Sequence, residues 1–175
     1  MSDLDHGFPD LQPAIISKIH IGEIQILGSL HDSSRTIHFG MPTGTIETVP
    51  GFEPAFKAEV NFGADWMSFD AEDKFSRVNL RGVAKTDKGH SIDYHYTAVA
   101  KLEPSLRKLL TGAPDAETIP FGLATGHYKY RVGDPGLKEL ENNVFVGNAR
   151  IIKNDSGVMT VETRQSLVIS STVMD

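Results

Sequence analysis

The feature that most constrains this chain is the segment from Phe75 to Ala100, in which two runs of period-two alternation flank the turn Asp87-Lys88-Gly89. Alternation on both sides of a short glycine-containing connection is the pattern of a β-hairpin. A three-residue loop with Gly89 in the left-handed conformation pairs Thr86 with His90 and sets Arg81 directly opposite His95. Asn79, Arg81, Asp93, His95 and Thr97 then share one face, while Val78, Leu80, Gly82, Ala84, Ile92, Tyr94, Tyr96 and Ala98 share the other. A two-residue loop would instead put Tyr96 opposite Arg81. Alternation alone leaves open which face is inward. The apolar face is the expected interior, which leaves Arg81 and His95 outside unless the lumen is polar.

Shorter β-type runs surround the hairpin. Ile15 to Leu27, Arg35 to Gly40, Thr43 to Val49 and Phe56 to Phe62 are separated by turn residues, and Asn143 to Lys153 joins Val158 to Ile169 through Asn154-Asp-Ser-Gly157. Only Pro104 to Gly112 and Asp134 to Leu140 carry helix signals, with Pro in the first turn of each. Neither is long enough to cover a sheet. Many short strands with little helix predict an all-β, mainly antiparallel fold, and a closed small barrel of about eight to ten strands is favoured because closure removes the sheet edges. Residues 1–13, with three Asp and two Pro, read as a flexible lead-in, and residues 14–175 as one domain.

Composition narrows the chemistry. At 175 residues the chain can bury a core without a metal or disulfide staple. The formal charge is −6 and the basic residues are dispersed, so no phosphate-tracking surface is expected and nucleic acid is not an expected partner. There is no Cys, hence no thiolate nucleophile and no Cys-based metal site. The seven His lack the spacing of a metal motif, and phosphate-loop, dinucleotide and Gly-x-Ser-x-Gly signatures are missing, so neither a metal nor another cofactor is expected. The acidic start lacks a signal-peptide pattern and no apolar run approaches the roughly 20 residues of a membrane span; a cytoplasmic protein with no membrane partner is expected.

Gly63-Ala-Asp-Trp66, Asn79-Leu-Arg81, Lys85-Thr-Asp-Lys-Gly89, Gly133-Asp-Pro135 and Asn143-Val-Phe-Val-Gly147, in this order over about residues 15 to 169, resemble an uncharacterised family, domain of unknown function 3237. The resemblance implies a small antiparallel barrel of calycin-like shape. Fungal relatives resemble accessory proteins of natural-product pathways, in which small cavity proteins act as cofactor-free cyclases, isomerases or lyases. The family pattern commonly has Asp-x-Arg where this chain has Asn79-Leu-Arg81, and Trp-Leu-Asn where it has Leu140-Glu-Asn142. Arg81 and Asn142 are kept, whereas one carboxylate and one aromatic are replaced, which suggests a substrate of different shape.

Three groups of residues carry the candidate chemistry. Asp65 and Trp66 would set a carboxylate beside an aromatic wall after a Gly-Ala-Asp turn; the alternative is that Trp66 plugs the barrel end and Asp65 caps the turn. Arg81 would anchor a carboxylate, enolate or phenolate while His95 moves a proton near neutral pH, or both would decorate a solvated face. Tyr128 and Tyr130, on one face of their strand, and Tyr96 would clamp a planar substrate or simply line the core rim. The expected function is a cofactor-independent cyclase, isomerase or lyase. Its catalytic residues would be Asp65, Arg81 and His95, and Trp66, Tyr96, Tyr128, Tyr130 and Asn142 would hold a small, largely apolar metabolite in the barrel cavity. A non-catalytic calycin-like carrier is the alternative, and a barrel surface that mediates homo-oligomerisation is a third reading.

Overall fold

A computed structural model describes residues 7–31 and 34–171. Ten strands run as β1 (Asp10–His20), β2 (Ile24–Ser29), β3 (Arg35–Gly40), β4 (Gly44–Thr48), β5 (Lys57–Phe69), β6 (Phe75–Thr86), β7 (Ser91–Lys101), β8 (Ile119–Val132), β9 (Phe145–Lys153) and β10 (Met159–Ile169). Every pairing is antiparallel. Eight strands close in the order β5-β4-β1-β10-β9-β8-β7-β6, and the β5–β6 pairing seals the ring. The expected closed antiparallel barrel is therefore present. Strand β1 starts at Asp10, inside the segment expected to lead in, and residues 1–6 lie outside the described residues.

Strand β5 explains how ten strands share one ring. Its first half pairs with β4 and its second half with β3 on the same edge, while β6 runs along the other edge from Ala58 to Phe69. Around Gly22 and Pro42 the β1–β2 and β3–β4 runs are both interrupted, with Gly22 N–H bonded to Gly40 O at 2.7 Å. The β2–β3 ribbon thus leaves the ring as a flap beside β5. Gly63-Ala-Asp-Trp66, expected as a turn, is continuous strand within β5.

The β6–β7 hairpin has the three-residue-loop register. Thr86 N–H donates to His90 O at 2.8 Å, Gly89 sits at φ +84°, and Arg81 opposes His95. Burial alternates residue by residue along β6, so the apolar face is the inner one. Leu80, Tyr94, Tyr96, Tyr128, Tyr130 and Phe145 meet inside the ring, each 5% exposed or less. Tyr96 and Tyr128 stack with centroids 5.0 Å apart, and Tyr130 stands edge-on to Phe145. Helix α1 (Pro104–Leu110) sinks Leu106 and Leu109 into the same core. A 3₁₀ turn at Pro135–Leu137 and helix α2 (Glu139–Asn142) follow β8 and bury Leu137 and Leu140. Among the described residues, no helix is long and apolar enough to cross a membrane.

Candidate functional site

The outer face of β5–β8 carries a grid of side chains fixed by strand register. One row reads Ala64, Arg81, His95, Lys129 across four strands, and the next reads Trp66, Asn79, Thr97, His127. On the other side of the first row, Val83, Asp93 and Arg131 are partners. Over this grid lies an open groove of about 1040 Å³, lined by Trp66, Asn79, Arg81, Asp93, His95, His127, Lys129 and Arg131 and walled at one end by Leu140–Val144. The wall is strapped to β8: Glu141 accepts Val132 N–H at 2.7 Å and Lys138 Nζ reaches Val132 O at 2.7 Å. A second cleft of about 690 Å³ continues past Trp66, Asn79 and His127 toward Leu30, Ser34 and Thr36 of the β2–β3 flap.

Trp66, half exposed, stands where the two clefts meet, braced edge-on by His38 of β3 with centroids 5.0 Å apart. Arg81 Nη2 contacts Asp93 Oδ2 at 3.1 Å, and Arg131 Nη2 bonds the same oxygen. Burial alone would raise the Asp93 carboxyl, but hydrogen bonds from the two guanidiniums outweigh it and hold the carboxyl below its usual range. One carboxylate is thus shared by two guanidiniums. Lys129 has no ion-pair partner among the described residues.

His95 lies between Arg81 and Lys129 in the row. Its Nε2 is 2.8 Å from Asn79 Oδ1, an acceptor, so Nε2 carries the proton and Nδ1 keeps a lone pair. Partial burial, and then the charges of Arg81 and Lys129, push the imidazole below its ordinary value, with Asp93 opposing. His95 is therefore a neutral base at neutral pH. Thr97 Oγ1 bonds the neighbouring His127 Nε2 at 3.0 Å.

The groove brings together Trp66, Arg81, His95 and Asn142 of the expected residues, and Tyr128 and Tyr130 also border it. Asn142 sits on the helical wall, its Nδ2 donating to Lys138 O at 3.3 Å. Asp65 and Tyr96 lie on the other side of the sheet, and the rings of Tyr128 and Tyr130 are turned into the core there. Asp65 and Trp66 are successive residues of one strand and must face opposite ways, so they do not converge on one cavity. The barrel interior expected to hold the ligand is occupied at this level by the tyrosine rings, with Tyr130 Oη bonded to Gln165 Oε1 at 2.6 Å. Asp65 is 4% exposed, and burial, opposed only by the Asn79 N–H, pushes its carboxyl up to about 7. Asp93, Lys129 and Arg131 were not expected as site residues. The only local signal for the last two was the alternation of His127 to Arg131. Among the described residues, no three His, Asp or Glu side chains converge as a metal site would require.

Residues 9–168 match the family described as protein of unknown function DUF3237, and the chain belongs to this family. Solved structures share the fold. A conserved protein of unknown function from Rhodopseudomonas palustris superposes with a TM-score of 0.70 at 17% identity, covering 92% of this chain and 97% of that one. A β-barrel-like protein from Acinetobacter baumannii gives 0.62 at 17% identity over 90% and 96%. A protein described as an enzyme from Penicillium herquei gives 0.56 at 14% identity over 90% and 94%. No curated protein matches the chain.

Proposed function

We propose that the outer groove is the active site of a cofactor-independent cyclase, isomerase or lyase that works on a small, largely apolar metabolite by acid–base chemistry. One observation carries this reading. A neutral imidazole, with its Nε2–H fixed on Asn79 and its Nδ1 lone pair free, lies between two cations in one row of the sheet. His95 Nδ1 takes a proton from an acidic C–H or O–H of the substrate. The negative charge left on the substrate oxygen is held by Arg81 and Lys129, and the proton returns to carbon from the imidazolium. Trp66 supplies the apolar wall. Asp65, sealed behind the sheet, acts on the site only through Asn79. The likeness to a barrel described as an enzyme supports an enzymatic reading and shows the fold alone.

The test is conversion of a panel of enolisable and phenolic metabolites, followed by mass spectrometry. Replacing a charge-stabilising or proton-transfer group lowers turnover on the order of a hundredfold, about 3 kcal/mol of transition-state stabilisation, so His95→Phe and Arg81→Met should each show that loss. Both side chains lie on the outer face, and both variants should stay folded. Wild-type rates in both folded variants would remove this site assignment. Binding without product in any protein would favour the carrier reading.

A further inference from the structure

The middle row of the grid sets two cations around one imidazole. Arg81 and Lys129 each lie directly opposite that imidazole from either side, two strands and about 10 Å apart at the backbone, and the charge of each lowers the imidazole. Asp93 is their near carboxylate, and it is already shared by Arg81 and Arg131. Counting Arg81, Arg131 and Lys129 against Asp93 and Glu141, the lining of the groove keeps an excess of one positive charge on a protein whose formal charge is −6. Lys129 has no ion-pair partner among the described residues, and a charge left uncompensated beside a base is the kind of local inconsistency found at functional sites.

The apolar partner of this charge is equally well placed. Trp66 lies two strands and one row from His95, which strand geometry makes about 12 Å at the backbone, a span that two or three fused rings bridge. We infer that the groove binds planar aromatic acids, with the carboxylate over His95 between Arg81 and Lys129 and the ring body against Trp66. These acids bind in the groove proposed above as the active site, with the carboxylate on the cation pair that the reaction assigns to the developing oxyanion, and the inference concerns binding and does not rest on that reaction. The guanidinium of Arg81 can exchange Asp93 for the ligand carboxylate, because its pairing to Asp93 is half exposed. Lys129, unpaired among the described residues, needs no such exchange.

Trp66 is the only Trp of the chain, so its indole N–H resonance reports occupancy of the groove without interference. The experiment titrates wild type and Lys129→Met with naphthoate and with neutral naphthamide, following that resonance. Naphthoate should shift it and bind wild type at least tenfold more tightly than naphthamide. Lys129→Met should weaken naphthoate by about tenfold and leave naphthamide unchanged. Equal affinity of the two probes for wild type would overturn the anionic class, whatever the variant does. No shift with either probe would overturn the planar-acid site altogether. Conversion of a neutral metabolite that depends on His95, without naphthoate binding, would refute this inference and keep the enzyme. Naphthoate binding in a protein that converts nothing would keep the inference and refute the enzyme.

Discussion

The carboxyl of Asp65 and the backbone of Asn79 are joined through the sheet: Asn79 N–H donates to Asp65 Oδ1 at 3.2 Å from the inner side. The side chain of the same Asn79 faces outward and accepts from His95 at 2.8 Å. A single residue therefore links a buried acid to the base in the groove. Tyr96 is the ionisable neighbour of that acid on the inner face, itself pushed upward by burial. Among the described residues, no cation opposes the charge of Asp65.

This arrangement makes stability depend on pH. With its carboxyl raised from 3.8 to about 7 in the folded state, Asp65 binds its proton more tightly folded than unfolded. Its contribution is complete below the unfolded value and is lost as pH rises through about 7. Between pH 5 and pH 8 the wild type should lose on the order of 3 kcal/mol of unfolding free energy from this group. Urea denaturation should show that slope, and Asp65→Asn should flatten it. An unchanged slope in the variant would place the titrating group elsewhere.

His95 responds to its row in opposite directions. Lys129→Met removes one of the charges that lower it, so its titration should move up. Asp93→Asn removes the charge that opposes them, so its titration should move down. Imidazole carbon-bound proton shifts followed by NMR measure both. Equal movement in the same direction would contradict the arrangement of the grid.

The hairpin was legible because its information is local. Asp87, Lys88 and Gly89 specify the loop, the loop specifies the register, and the register sets Arg81 against His95. The partner of β7 was not legible. Lys129 meets His95 only because β8 returns to pair with β7 after α1 and a loop, and no residue near Lys129 encodes that pairing. The start of β8, Ile119 to Ala124, carries no alternation and its register with β9 shifts there, so the strand was not read from the sequence beyond His127 to Arg131. Gly63 suggested a turn where the structure has a strand. The reason is packing: a Cβ at Gly63 would lie 2.8 Å from Tyr94 Oη. The groove also depends on the outer surface being made concave by the flap and the helical wall, which are tertiary features.

Glu162 forms a second charged cluster away from the groove. It is fully buried on the outer face beneath Arg150, with Nη2 at 2.6 Å, and Arg164, with Nε at 2.8 Å. The Arg150 guanidinium lies 4.7 Å from the Phe121 ring centroid. Burial opposes ionisation, but the two guanidiniums hold the carboxyl below its usual range. Both guanidiniums reach solvent and are not stranded when the carboxylate is removed, so Glu162→Gln should destabilise by about 1 kcal/mol at neutral pH. A depressed carboxyl stabilises above its unfolded value and loses that contribution as pH falls through the folded one. The gap between wild type and Glu162→Gln in urea denaturation should therefore narrow in acid. A gap that is constant with pH would assign the loss to packing.

The last prediction concerns the close approach of β7 to β6 behind the groove. Gly82 pairs with Tyr94, and a Cβ at Gly82 would lie 2.5 Å from Phe62 O and 2.6 Å from Tyr94 Cζ. Neither the strand backbone nor the buried ring has room to give. Overpacking of a filled core costs typically about 1–3 kcal/mol, and a backbone clash places Gly82→Ala at the upper end. Gly133, with nothing within 4 Å of a built Cβ, is the control, and Gly133→Ala should change stability by less than about 0.5 kcal/mol. The Tyr94 hydroxyl has no hydrogen-bond partner among the described residues, so Tyr94→Phe should be neutral or stabilising by about 1 kcal/mol. Thermal melts of the three variants test the packing together. A Gly82→Ala protein as stable as Gly133→Ala would show that the β6–β7 contact behind Arg81 and His95 is looser than described, and with it the rigidity of the row that carries the proposed chemistry.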